Sequence, residues 1–207
     1  MNTQCRIFHV AFSLVLAGLL SACGSRISLK PLAPDAVVLA FGDSLTYGSG
    51  AEREEAYPVV LAQLIGRKVI NAGVPGEVTS EGIIRLPAVL EQYHPALMIL
   101  CHGGNDLLHN LGELQTADNI RAMIRLARER GTEVVLVAVP RPGLLLSPPK
   151  FYAEIAREFG LPFEGDILPA ILSRGGLKSD VIHPNAEGNR KLAEAIAALF
   201  REEKAIP

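Results

Sequence analysis

A chain of 207 residues with a formal net charge of −2 fits one ordinary domain with a sizeable core, and no basic run points to nucleic acid. Hydrophobic residues make up 49% and charged residues 20%, a balance that excludes a disordered chain. Trp is absent and aromatics are only 5%, so the core has to be built from Leu, Ile, Val and Ala.

The first residues stand apart from that core. Met1 to Arg6 carries Arg6 as its only charged side chain, and Ile7 to Leu20 is apolar apart from His9 and Ser13. Leu20-Ser21-Ala22-Cys23-Gly24 follows. A basic start, an apolar stretch of about 7–15 residues and a small-residue exit make a secretory signal. The stretch falls short of the roughly 20 residues of a membrane span. Leu-Ser-Ala-Cys resembles the bacterial lipobox, in which the Cys becomes the lipidated first residue after cleavage. The resemblance implies a signal over residues 1–22, a lipid anchor on Cys23 and a place in the bacterial cell envelope. Gly24 after the Cys, where Asp is absent, favours the outer membrane, facing the periplasm. The alternative is an ordinary cleavage near Ala22. Cys5 leaves with the signal and Cys23 is modified, so Cys101 has no internal disulfide partner.

Residues 23–35 contain Ser, Lys and two Pro with little periodicity and read as a lipidated tether; the domain runs from 36 to 207. Four continuous apolar runs lie in it: Ala36 to Phe41, Lys68 to Ala72, Ala96 to Cys101 and Glu133 to Val139. They lack alternation, as strands buried on both faces do. Helical patterns lie between them. One covers Ala56 to Ile65. Thr79 to Tyr93 is closed before Pro95. Thr116 to Arg130 has Ile120, Met123, Ile124 and Ala127 at helical spacing and is stopped by Gly131. The last runs from about Asn185 to Glu203, with Leu192, Ala195, Ile196 and Leu199 on one face. Strands alternating with helices predict a parallel sheet with right-handed crossovers. The expected fold is a flavodoxin-like α/β/α sandwich of three layers, with a short fifth strand near Leu161-Pro162-Phe163. Ligands in such sheets sit beyond the carboxyl ends of the strands, so the residues after each strand deserve the closest reading.

Gly42-Asp43-Ser44 follows the first strand, where a tight turn would present the Ser. Asn71-Ala72-Gly73-Val74-Pro75-Gly76 follows the second, and Gly lets a backbone N–H approach a ligand. Gly103-Gly104-Asn105-Asp106 follows the third; the Asn amide could donate to a developing oxyanion. Asp180-Val181-Ile182-His183-Pro184-Asn185 lies near the C-terminus, where Asp180 could fold back and orient His183 as a base. Each motif alone is a common turn. Together, in this order, they match the SGNH hydrolases, also called the GDSL family, over residues 37–200. The chain most resembles the branch that holds thioesterases, lysophospholipases and arylesterases.

That resemblance implies Ser44 as nucleophile, His183 as base and then acid, and Asp180 as the residue that orients it. It also implies an oxyanion hole made by the N–H groups of Ser44 and Gly73 and the amide of Asn105. Pro75 departs from the small polar residue often found there and removes a backbone donor beside the hole. Asp43 and Asp106 read as braces of their loops. No cofactor is required by this chemistry. A metal site is not expected, because His94, His102 and His109 with Cys101 lack ligand spacing. Arg121, Arg125 and Arg128 fit a solvated helix face. Leu107, Leu108 and Leu111, Leu144 to Leu146 and Ile182 are unusually apolar for loops; they either cap the core or line an acyl groove beside Ser44. The leading expectation is a lipid-anchored esterase for acyl esters, lysophospholipids or aryl esters. A carbohydrate O-deacetylase and a non-catalytic lipoprotein are the alternatives.

Overall fold

The computed structural model describes residues 29–143 and 146–207. The signal, Cys23, Leu144 and Leu145 lie outside the described residues. Five strands form one parallel sheet: β1 (Val37–Gly42), β2 (Lys68–Gly73), β3 (Leu97–Cys101), β4 (Glu133–Val137) and β5 (Phe163–Glu164). Their order is β2-β1-β3-β4-β5. The chain therefore steps from β1 out to β2, returns past β1 to β3, and continues to β5. That reversal makes the β1/β3 boundary the switch point where such folds bind ligands.

Two short helices follow strand ends: α1 (Ser44–Tyr47) after β1 and α4 (Gly104–Leu108) after β3. The longer helices are α2 (Tyr57–Ile65), α3 (Thr79–Tyr93), α5 (Glu113–Glu129), α6 (Lys150–Phe159), α7 (Ile167–Leu172) and α8 (Ala186–Glu202). Helix α2 packs on α8, while α3, α5 and α6 form a row in which each touches the next. Right-handed crossovers put these two groups on opposite faces of the sheet, which gives the three-layer sandwich.

The periodic residues of α5, Ile120, Met123, Ile124 and Ala127, are all fully buried. In α8 the buried face is Leu192, Ala193, Ile196, Ala197 and Phe200, one residue round from the expected stripe. Asn185 is the cap of α8, accepting from Gly188 N–H at 3.0 Å, so the helix begins just after it. β1, β3 and β4 are buried almost throughout. β2 differs from expectation. It is an edge strand and none of its residues is fully buried.

Two further expectations shift. The fifth strand is Phe163–Glu164; Pro162 precedes it because Pro has no N–H to give a ladder, and it contributes its carbonyl to Leu136 N–H at 3.0 Å. Residues 29–35 do not hang free as a tether. Leu29 and Leu32 are 6% and 7% exposed, and their N–H groups bond Glu203 O at 3.1 Å and Ala205 O at 2.7 Å. Two leucines three apart cannot stay in water when an apolar seam beside the last helix can cover them. No helix among the described residues is long and apolar enough to cross a membrane.

Candidate active site

The register pairs Gly42 with both Gly73 and Cys101. Three strands thus end level, and the loops after them begin side by side. The loop after β1 enters α1 through Asp43, whose carboxylate accepts from Leu45 N–H at 3.0 Å and from Gly104 N–H at 3.2 Å. Asp43 is 1% exposed. It ties the turn bearing Ser44 to the loop bearing Asn105. Burial pushes its carboxyl up, against the pull of His102, the two N–H groups and His183.

Ser44 stands at the first position of α1. Its N–H has no partner among the described residues, as the first turn of a helix leaves it. Its Oγ lies 3.0 Å from His183 Nε2. His183 Nδ1 lies 2.7 Å from Asp180 Oδ2. With Nδ1–H donating to the carboxylate, Nε2 is left to accept the serine proton. Asp180 Oδ1 accepts from Ile182 N–H and His183 N–H, both at 2.8 Å. Burial is the largest single influence and raises the Asp180 carboxyl, but the His183 ring and these N–H groups together outweigh it and hold it below the usual range. The loop is closed by a bridge between Lys178 and Pro184 and by Ser179 N–H on His183 O at 3.0 Å.

Asn105 lies beside Ser44 on the cleft wall. Its amide donates one hydrogen to Glu77 O at 2.9 Å, which leaves the other hydrogen free. Gly73 does not stand where expected as a donor. Its N–H bonds Asn71 Oδ1 at 3.0 Å, and Asn71 Nδ2 reaches Tyr47 O at 3.2 Å. Gly73 is a packing residue: a Cβ there would collide with the Tyr47 backbone nitrogen. Pro75 explains itself in the same loop. Glu77 N–H bonds Val74 O at 3.2 Å across a turn whose centre is Pro75 and Gly76, the latter at φ 81°. Pro then Gly with positive φ suits a type II turn, so the missing N–H of Pro75 is not called on.

The cleft beside Ser44 holds about 440 Å³ of space, open solvent included, and its wall is mostly apolar: Leu108, Val139, Leu146, Leu172, Val181 and Ile182. Leu107 is not part of it. It is 8% exposed and belongs to the core, whereas Leu108 is partly exposed. The expectation missed Val139, Leu172 and Val181. Arg141 also lines the cleft, paired with Glu113.

Asp106 accepts from Thr79 N–H at 2.9 Å and so braces the start of α3. A second set of residues, joined to Asn105 through the Glu77 carbonyl, gave no signal in the sequence. Glu77 is bound by Arg85 through Nε and Nη2, both at 2.7 Å, and by His102 Nε2 at 3.1 Å. Among the described residues no group of three or more His, Cys, Asp or Glu could hold a metal ion; His102 is spent on Glu77 and on Gly103 N–H.

A sequence description of the GDSL-like lipase/acylhydrolase family matches residues 40–191. The chain is 27% identical over 194 residues to the esterase TesA of Pseudomonas aeruginosa, covering 86% of this chain and 94% of that one. It is 29% identical over 172 residues to thioesterase 1/protease 1/lysophospholipase L1 of Escherichia coli, covering 77% of this chain and 81% of that one. The crystal structure of a TesA superposes with a TM-score of 0.72 at 24% identity, over 81% of this chain and 99% of the other, and shares its fold. The family match runs unbroken from the strand before Ser44 past His183 into the last helix, and the chain belongs to the GDSL-like lipase/acylhydrolase family of ester hydrolases.

Proposed function

We propose that the chain cleaves esters of aliphatic acyl groups through Ser44. The observation that carries this is the chain of contacts Ser44–His183–Asp180 opening into an apolar cleft. Ser44 Oγ attacks the ester carbonyl as His183 Nε2 takes its proton. The carbonyl oxygen, now negative, receives Ser44 N–H and the free Asn105 amide hydrogen. Gly76 takes the place expected of Gly73 as a third donor: it sits next to Glu77, whose carbonyl holds Asn105, and its own N–H has no partner among the described residues. His183 then gives its proton to the leaving alcohol or thiol. Water, activated by the same His183, hydrolyses the acyl-enzyme.

The acyl chain would lie along Leu108, Leu172 and Ile182. Each CH₂ it buries contributes up to about 0.8 kcal/mol. Relatives named esterase, thioesterase, lysophospholipase and arylesterase support an acyl ester or thioester as substrate. The test is a p-nitrophenyl ester series from acetate to laurate. We expect kcat/KM to rise about three-fold or more per CH₂ until the cleft is full. Acetate as the best substrate would overturn the acyl reading and favour a deacetylase.

The same proposal places the domain in the bacterial envelope, held by lipid on Cys23. Support comes from Leu20-Ser21-Ala22-Cys23 and the apolar run before it. Mass spectrometry of the protein from its membrane should find the mature chain starting at a lipidated Cys23. A free amino terminus at another residue would refute it.

A further inference from the structure

The oxyanion donor Asn105 is not held by its own loop. Its amide is fixed by the carbonyl of Glu77, which belongs to the loop after β2. The position of that carbonyl depends in turn on what anchors Glu77. Arg85 grips the Glu77 carboxylate with two parallel bonds at 2.7 Å. Arg85 is itself fixed by Nη2 on Ala72 O at 3.0 Å and by its place over the Phe41 ring, 4.2 Å from the centroid. His102 Nε2 meets the same carboxylate at 3.1 Å. Gly103 N–H donates to His102 Nδ1 at 2.9 Å, so that nitrogen is the acceptor and Nε2 carries the proton toward Glu77.

The set is buried: His102 is 0% and Glu77 6% exposed. Burial alone would push the Glu77 carboxyl up; the bonds from Arg85 and His102 and the Arg85 charge reverse this and hold it at about 2. It is therefore a carboxylate at any working pH. A buried ion pair is poor evidence of stabilisation, because desolvation offsets most of the attraction. What this one does is join two loops. It links the second-strand loop to His102, three residues before Asn105, while the Glu77 backbone holds the Asn105 side chain.

We propose that Glu77, clamped by Arg85 and His102, is a positioning residue that sets the Asn105 amide for the transition state. This rests on the reading of Asn105 as an oxyanion donor. Preorganised donors act because they need no reorganisation when charge develops. A misplacement of about 1 Å can cost on the order of 10²-fold in rate. Loss of the clamp should thus lower kcat and leave KM little changed, since the ground-state ester does not need the amide so placed.

The experiment is a double-mutant cycle on the whole domain with a p-nitrophenyl ester. Glu77→Gln is expected to lower kcat about 10- to 100-fold with KM within about two-fold. In an Asn105→Ala background the same change should cost less than about two-fold, because the group it positions is gone. Effects that multiply would show that Glu77 acts elsewhere and overturn the proposal. So would full activity in Glu77→Gln, with the hole left standing if Asn105→Ala is still slow. An Asn105→Ala enzyme with normal kcat would instead sink the oxyanion reading, and the clamp with it. Should Glu77→Gln fail to fold, His102→Gln and His102→Leu replace it. The Gln keeps a donor for Glu77 and should retain most of kcat; the Leu should not. Equal activity in these two variants would refute the role.

Discussion

Asp180 and His183 meet twice: one carboxylate oxygen takes the ring Nδ1 at 2.7 Å and the other takes the backbone N–H of His183 at 2.8 Å. The second bond ties the carboxylate to the backbone of the same loop, so the ring is aimed partly by backbone geometry. Asp180→Asn is expected to turn an amide N–H toward Nδ1 and leave the ring proton on Nε2, facing Ser44. By analogy with other Ser-His-Asp sites, kcat should fall about 10⁴-fold while the fold is kept. Activity within about ten-fold of the parent would show that Asp180 does not orient His183.

Asn105→Ala removes the proposed side-chain oxyanion donor, and kcat is expected to fall about 10²- to 10³-fold. Steady-state kinetics on a short ester would check it. A change confined to KM would mean that Asn105 binds the ground state.

Leu107 and Leu108 are neighbours in sequence with different surroundings, one in the core and one on the cleft wall. Leu108→Ser should lower kcat/KM for medium-chain esters about three- to ten-fold and spare the acetate. Leu107→Ser should instead shift the urea midpoint, by about 2 kcal/mol or more in stability, and leave the chain-length profile unchanged. The opposite pattern would reassign the two faces of α4.

Gly73→Ala would press a methyl group on the backbone of Tyr47 in the helix that carries Ser44. A loss of about 1–3 kcal/mol in a urea titration is expected, with activity falling as the serine turn shifts. A stable and fully active variant would show that α1 can move away without consequence.

Glu77 should leave a mark on acid stability. Its carboxyl sits at about 2 in the fold against an ordinary 4.5. A depressed carboxyl contributes stability above its unfolded value and loses it as pH falls toward the folded one. The stability advantage of the parent over Glu77→Gln should therefore be constant at neutral pH and shrink between about 4.5 and 2. Urea melts at several pH values give the comparison. An advantage that grows in acid would contradict the assignment.

The sequence made the large elements legible where an apolar pattern ran up to a clear stop, as for Thr79–Tyr93 before Pro95 and β1 before Gly42-Asp43. It failed at α6 and α7. One of them follows Pro148-Pro149 and the other carries Pro169 in its first turn, and both are short, so no long periodic stripe marks them. Ser44, Asn105, Asp180 and His183 were legible because the fold rule sends attention to strand ends. Glu77, Arg85 and His102 were not. They lie 8 and 25 residues apart along the chain, and only the packing of α3 beneath β1 brings them together. Gly73 misled because two glycines flank Val74-Pro75, and composition cannot say which N–H is already bonded.

Ser44 and His183 are separated by 139 residues, one just after the first strand of the sheet and the other just before the last helix. Bringing groups so far apart in sequence together carries a loop-closure cost, and contacts of this kind slow folding. The Ser44–His183 contact needs the segment just before the last helix in place, so under the proposed mechanism a chain interrupted before residue 183 would carry the nucleophile without its base.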